Sequence, residues 1–192
     1  TGKQIFDYST VPGNINLIHK NYTYDEGETI IISEANKVID GNGAVIDMNG
    51  STIRAFHVSA SGVTIKNLTI KNANYDGQGG AISFSVSATS GTVTNCNFTN
   101  NTATSQGGAI RFDSTGTVSN CNFTNNSAGY AGAVYFYQGT STVSNCNFTN
   151  NKATGDGGAV YFNGNGNVTN CNFADNTATI DGGAVYFNGN GN

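Results

Sequence analysis

The four cysteines of the chain recur at a constant interval, and this period constrains the fold more than any other feature. Successive cysteines are 25 residues apart, at Cys96, Cys121, Cys146 and Cys171. Each stands in the word Thr/Ser-Asn-Cys-Asn-Phe, and a second word, Gly/Ala-Gly-Ala-Ile/Val, alternates with it. A unit of this length cannot bury a core alone, so the period predicts units that stack on one another.

Each unit contains short extended runs and shows no helical period. In the run 82–86, Ile, Phe and Val alternate with serine, which is typical of a β-strand with one buried face. Because every unit must pair with the units before and after it, the sequence predicts one parallel β-helix with roughly seven coils.

The alternation predicts which columns of side chains face the core. Two phenylalanine columns are expected inside, Phe98, Phe123, Phe148 and Phe173 in one, and Phe112, Phe136, Phe162 and Phe187 in the other. Two asparagine columns are expected to form structural ladders whose amides hydrogen-bond along the axis, Asn97, Asn122, Asn147 and Asn172, and Asn101, Asn126, Asn151 and Asn176. The first of these columns is predicted at a bend between strands, where asparagine tolerates a left-handed backbone.

Three segments follow from how regular the repeat is. Residues 1–28 lack it and are predicted to form an N-terminal cap over the open end of the solenoid. Residues 29–78 are predicted to form irregular coils, and Val63 in them is expected to align with Val93 of the regular coils. Residues 79–192 form the regular coils, and the C-terminal end is expected to be uncapped, either because the protein continues or because another subunit covers it.

Two repeated patterns resemble known surface proteins. Gly-Gly-Ala-Ile/Val paired with Phe-x-x-Asn, as in Phe98–Asn101, resembles the repeat of chlamydial polymorphic outer-membrane proteins. The run from Tyr22 to Leu68 is similar to adhesin-like surface proteins of methanogenic archaea. These resemblances imply an all-β, right-handed parallel β-helix that is secreted and held at the cell surface, a handedness that parallel crossovers generally prefer. They imply no catalytic residues.

The charge balance and the lack of a long apolar run argue against nucleic-acid binding and membrane insertion. The 192 residues carry 8 Lys and Arg and a net charge of -4, with no basic cluster, so nucleic acid is not an expected partner. No apolar run reaches the ~18 residues that cross a bilayer, so membrane insertion by this segment is not expected either.

Candidate catalytic and metal-binding groups are sparse. Asp47, Arg54 and His57, with Lys66 in reach, could form an active site of a polysaccharide-active enzyme, and Asp156 and Asp181 share one turn column that could hold Ca²⁺. An irregular coil and a solvated turn explain these groups as well. The cysteines are interpreted as buried free thiols. We therefore predict no enzyme activity, no cofactor and no metal.

A tyrosine stripe is the predicted binding surface. Tyr135, Tyr161 and Tyr186 lie between inward residues, with Arg111 in the same column, so they are expected to face outward. Aromatic faces stack on sugar rings, which predicts a glycan or cell-wall polymer as partner. Stacking between coils is the alternative. Asn-x-Ser/Thr sequons favour a glycosylated extracellular protein, at Asn21, Asn49, Asn67, Asn97, Asn100, Asn122, Asn125, Asn147 and Asn167.

Three functions remain open from the sequence. The first is an extracellular, non-catalytic, adhesin-like module with a binding or stalk role. The second is a structural protein that joins other copies of itself end to end into fibres. The third is a polysaccharide-active enzyme built on the N-terminal coils.

Overall fold

The computed structural model describes residues 29–192 throughout, and before them the backbone of three short strands. All regular structure in this part of the chain is β, and no helix there could cross a membrane. The strands are β1 Phe6–Asp7, β2 Asn14–Leu17, β3 Asn21–Thr23, β4 Ile30–Ile32, β5 Val38–Asp47, β6 Phe56–Val58, β7 Thr64–Lys71, β8 Asn74–Tyr75, β9 Ile82–Phe84, β10 Gly91–Thr94, β11 Asn97–Thr99, β12 Thr102–Ala103, β13 Ile110–Phe112, β14 Gly116–Ser119, β15 Asn122–Thr124, β16 Ser127–Ala128, β17 Val134–Phe136, β18 Thr140–Ser144, β19 Asn147–Thr149, β20 Lys152–Ala153, β21 Val160–Phe162, β22 Asn165–Thr169, β23 Asn172–Ala174, β24 Thr177–Ala178 and β25 Val185–Phe187.

The strands form three sheets that run along the solenoid. Sheet 1 has 13 strands and contains β5, β7 and the pairs that follow them in each coil, such as β10 and β11. Sheet 2 has 7 strands, β4, β6, β9, β13, β17, β21 and β25. Sheet 3 has 5 short strands, β8, β12, β16, β20 and β24. One regular coil therefore visits sheet 2, then sheet 1 twice, then sheet 3.

The pairing register confirms the predicted period. Val93 pairs with Val118, and Val118 with Val143, each 25 residues on and all in parallel. The chain is a right-handed parallel β-solenoid of about 6 turns with about 25 residues per turn. The irregular part has a different register from the predicted one, because Ile65 rather than Val63 pairs with Val93.

The two phenylalanine columns lie inside the solenoid. Phe98 and Phe123 stack with ring centroids 5.0 Å apart, and Phe112 and Phe136 with centroids 5.1 Å apart. All but the last member of each column are at most 1% exposed, while Phe173 and Phe187 are half-buried because a coil packs on one side of them only. Each fully buried ring contributes about 1.5–3 kcal/mol, which offsets much of the ordering entropy of its coil.

One asparagine column forms a buried ladder. Asn101, Asn126 and Asn151 are fully buried, and Asn176 is half-buried. The Asn126 amide oxygen accepts hydrogen bonds from the Asn101 backbone N–H at 3.0 Å and from Asn101 Nδ2 at 3.1 Å. Asn126 Nδ2 in turn donates to Asn151 Oδ1 at 3.0 Å and to the Phe98 carbonyl at 3.1 Å. The ladder thus satisfies the polar groups that the corner between sheets 1 and 3 buries.

The other column is a ladder too, but its predicted place at a bend is wrong. Asn122 Nδ2 donates to Asn97 Oδ1 at 2.8 Å, yet both residues lie within strands and are exposed, as are Asn147 and Asn172. The left-handed backbone occurs two residues earlier, at Asn95 (φ 54°) and Asn120 (φ 53°) and in the same way in the later coils. The bend comes there because the next residue, the cysteine, must turn into the core.

The cysteines are free thiols at the bend of sheet 1 that follows the left-handed asparagines. Cys96, Cys121 and Cys146 are each 1% exposed and Cys171 is half-buried. Cys121 Sγ lies 3.1 Å from the Ser119 carbonyl oxygen, and the backbone N–H of Cys121 donates to Cys146 Sγ at 3.4 Å. Hydrogen bonds with the Cys146 and Cys96 thiols, together with burial, raise the pKa of Cys121, so this thiol stays protonated and packs as a small hydrophobe.

The predicted cap, residues 1–28, lies outside the described residues apart from the backbone of its three strands. β2 and β3 pair in parallel with β5, so both extend sheet 1 beyond residue 29. β1 pairs antiparallel with β2, which reverses the chain direction at this end of the sheet.

Candidate functional site

The outer face of sheet 2 carries one continuous row of side chains, which we call the outer row. Parallel pairing places its members in register along the axis, His57, Ser83, Arg111, Tyr135, Tyr161 and Tyr186. The residues before and after each of them face the core, so the members of the row point away from it. The predicted tyrosine stripe is therefore the C-terminal half of a longer row.

The structure corrects the predicted exposure of this stripe. Tyr135 is 4% exposed, Tyr161 8% and Arg111 6%, and Tyr186 is half-buried. The turns with the Gly/Ala-Gly-Ala word fold over the row, because their first residue has a left-handed backbone, as at Gly79 (φ 67°), Ala131 (φ 54°) and Gly157 (φ 67°). A Cβ on Gly79 would lie 3.2 Å from Arg111 Cβ, and one on Gly157 3.1 Å from Tyr161 Cβ. Periodicity alone does not reveal this cover.

The tyrosines of the row pack against one another between coils. The rings of Tyr135 and Tyr161 stack with centroids 4.9 Å apart, and those of Tyr161 and Tyr186 lie at the same distance. Burial, together with the neighbouring Tyr161, raises the pKa of Tyr135 to about 12. The exposed aromatic surface comes instead from Tyr130 and Tyr137 at the margins of the row, each 40% exposed. Tyr130 meets Tyr161 edge to face at 6.0 Å.

Arg111 lies between two aromatic rings. Its guanidinium carbon is 5.2 Å from the ring centroids of both Tyr135 and Tyr137, within the range of a cation–π contact. Its Nε donates to Asp113 Oδ1, while its buried Nη1 has no hydrogen-bond partner in the described part of the chain. Asp113 and Tyr137 are not among the residues predicted from the sequence. Each lies two residues beyond a member of the row, and that spacing is the signal that could have identified them.

A second guanidinium lies at the N-terminal end of the row. Arg54 stacks on Tyr75, with its guanidinium carbon 4.1 Å from the ring centroid, and its Nη1 lies 3.4 Å from His57 Nδ1. Burial lowers the pKa of Arg54 from its usual high range. Burial and the adjacent Arg54 charge lower the pKa of His57, so its imidazole is neutral at pH 7 and Nδ1 can accept from the guanidinium.

The structure divides the predicted catalytic patch into separate pairs. Asp47 forms an ion pair with Lys71 at 3.1 Å, and Lys66 forms one with Asp40 at 3.2 Å, both on sheet 1. Burial acts to raise the pKa of Asp47, but hydrogen bonds from Asn72 and from the backbone of residue 49, together with Lys71, outweigh it and leave the pKa lowered. His57 lies on sheet 2 instead, in β6, and Arg54 lies just before it in the connection from β5.

Comparison with known proteins identifies the family of this chain. A family model described as a right-handed β-helix region matches residues 14–192. The chain belongs to the right-handed β-helix family. Searches of the curated proteins and of the solved structures give no match to this β-helix. The family contains both enzymes and non-enzymes, so membership in it establishes the fold but does not establish an activity.

The two aspartates of the predicted Ca²⁺ column are joined by a hydrogen bond between coils. The Asp181 backbone N–H donates to Asp156 Oδ1 at 2.9 Å, so the Asp156 carboxylate binds the backbone of the next coil. Within the described part of the chain, no group of three His, Cys, Asp or Glu could hold a metal ion.

A shallow pocket of about 380 Å³ lies on the bend of sheet 1, where Asn42, Asn67 and Asn95 line it. Asn95 Nδ2 donates to Asn67 Oδ1 at 2.6 Å, and Asn67 Nδ2 donates to Asp40 Oδ1 at 2.9 Å.

Proposed function

We propose that this β-helix is an extracellular, adhesin-like module of the cell surface that binds a glycan or cell-wall polymer and catalyses no reaction. The observation that carries the proposal is the margin of the outer row, where Arg111 is held between two tyrosines and Tyr137 exposes its ring. An arginine and an exposed aromatic face together offer the hydrogen bonds and the stacking surface that sugar recognition uses.

Three further observations support this role. Parallel pairing in three sheets and the stacked core give a rigid surface that can present a binding face. The carboxylates Asp40 and Asp47 are held by lysines and asparagines with lowered pKa values, whereas a general acid needs a raised one. The repeat words resemble those of surface adhesins, and the sequons at Asn100 and Asn125 lie exposed in left-handed turns.

The test is a glycan array probed with the whole chain and with the Tyr137→Ala variant. We expect saccharides that bind the wild type and lose binding in the variant. The matched control is Asn122→Ala, which removes an exposed side chain from sheet 1 and should bind normally. Absence of any bound glycan would contradict the proposal.

The same preparation distinguishes the two alternative functions. Filaments that lengthen with concentration in electron micrographs would favour the fibre hypothesis. Release of reducing ends from polysaccharides, abolished in Arg54→Gln, would favour an enzyme.

A further inference from the structure

We propose that the N-terminal half of the outer row is an anion site in which Arg54 and Arg111 bind the carboxylate of an acidic saccharide. This inference rests on the proposed glycan-binding function and names the class of glycan.

Arg54 is a half-buried cation that forms no ion pair with a carboxylate of residues 29–192. The ion pairs within residues 29–192 join Lys37 to Glu34, Lys66 to Asp40, Lys71 to Asp47 and Arg111 to Asp113. Arg54 instead contacts a neutral imidazole and the face of a tyrosine. A guanidinium removed from water in this way is stabilised by a counter-charge. The Asp113 carboxylate acts on Arg54 electrostatically, but it forms its ion pair with Arg111 and none with Arg54.

Arg111 is only partly paired as well. Asp113 accepts from its Nε, and its Nη1 is buried without a partner among residues 29–192, in a side chain that is only 8% exposed. A buried donor without an acceptor is unfavourable and rare, and a ligand oxygen would satisfy it. Entry of the ligand requires Tyr137, the exposed ring over this guanidinium, to turn aside.

The two guanidiniums belong to one electrostatic cluster. The charges of Arg111 and Asp113 both act on Arg54, and Asp113 also acts on His57. Ser83 lies in register between His57 and Arg111 and is 5% exposed. With His57 neutral, two positive charges face one negative charge, so the cluster has an excess of one positive charge in a chain of net charge -4.

The chemistry of these groups selects a carboxylate on a sugar. A guanidinium presents its donors in a planar fork that matches the two oxygens of a carboxylate. A single excess charge suits a monoanion. The rings of Tyr75 and Tyr137 flank the two guanidiniums and can contact the apolar face of a pyranose.

The test compares oligosaccharides that differ only in their carboxyl groups. Uronic-acid oligosaccharides from hyaluronan and from alginate are titrated calorimetrically into the whole chain, in parallel with the same oligosaccharides after reduction of the carboxyls to primary alcohols. We expect at least one acidic form to bind roughly 10- to 100-fold more tightly than its reduced form, the range of a charge-assisted hydrogen bond.

Two variants separate a specific site from general attraction. Arg54→Gln should abolish the preference for the acidic form, while its circular dichroism spectrum stays that of the wild type. Lys152→Gln removes one positive charge from an exposed position on sheet 3 and should keep the preference. An equal loss in both variants would overturn the proposal, since it would indicate attraction by net charge alone.

The outcomes also separate this inference from the proposed function. Equal binding of acidic and reduced oligosaccharides would refute the carboxylate site and leave glycan binding standing. Equal binding of a reduced, sulfated oligosaccharide would show a general anion site and refute the preference for carboxylate. If no saccharide binds here or on the array, both proposals fail.

Discussion

Replacement of Asn126 by alanine tests whether the buried amide ladder holds the coils together. The Asn126 side chain is fully buried and takes part in four hydrogen bonds. Truncation leaves the Asn101 backbone N–H without its partner on the next coil, and the Phe98 carbonyl loses the amide donor. Asn101 Nδ2 keeps its bond to the Ile70 carbonyl, and Asn151 Oδ1 keeps the Asn126 backbone donor.

The magnitude follows from these contacts. One orphaned buried N–H costs about 1–3 kcal/mol, and each other lost hydrogen bond costs about 1 kcal/mol. We therefore expect Asn126→Ala to lower the free energy of unfolding by about 4–6 kcal/mol. Asn122→Ala is the matched control in the same coil. It removes two hydrogen bonds of the same chemistry, to Asn97 and Asn147, but water can replace them, so its loss should stay below about 1 kcal/mol.

Urea unfolding followed by far-ultraviolet circular dichroism measures both variants. The slope of the transition must match that of the wild type, because stacked coils can unfold in parts and a changed slope would invalidate the comparison. Equal losses of stability in the two variants would refute the reasoning, since burial would then add nothing to the worth of an amide ladder.

Three more changes have defined outcomes. Gly108→Ala should destabilise the chain by about 3 kcal/mol in urea, because its Cβ would overlap the Gly132 carbonyl oxygen and lie 2.5 Å from that of Ser127, whereas the same change at Gly183, whose Cβ has no neighbour closer than 3.8 Å, should be tolerated. Tyr135 should ionise only near pH 12, so the stability it contributes is complete below pH ~10 and is lost between these values. Ultraviolet titration should lose this late phase in Tyr135→Phe, and an unchanged profile would contradict the assignment. Asp47 has a lowered pKa, so its contribution is present above pH ~4 and is lost as the pH falls further; Asp47→Asn should flatten the acid side of the stability profile, and an identical profile would refute it.

The regular coils could be predicted because every column repeats in register. Identical residues 25 apart, such as Phe98 and Phe123, have to stack if each coil pairs with the next. The pairing register of the irregular coils is harder to predict from the sequence. Val63 was aligned with Val93 where Ile65 pairs with it, and the error preserves the inward face because a shift of two residues keeps the alternation of a strand.

The candidate site depended on information that the repeat does not contain. The pairing of Arg111 with Tyr135 in one row follows from the period, but their burial depends on how the Gly-Gly turns fold over the sheet. Arg54 and His57 are candidates in the sequence, but Tyr75, the ring on which Arg54 stacks, stands on sheet 3 at a position where the next coil has Ala103. The contacts of irregular residues are set by tertiary packing, which a single sequence does not specify.

The most direct test of the central claim is to locate a bound saccharide on the protein. Tyrosine ring signals are recorded by NMR, with selective labelling, during titration with a glycan that binds on the array. We predict that the signals of Tyr75 and Tyr137 shift first and that Arg54→Gln weakens the shifts for an acidic glycan. Shifts confined to amides of the Asn97 ladder, with the tyrosine signals unchanged, would contradict the assignment of sheet 2 as the binding face.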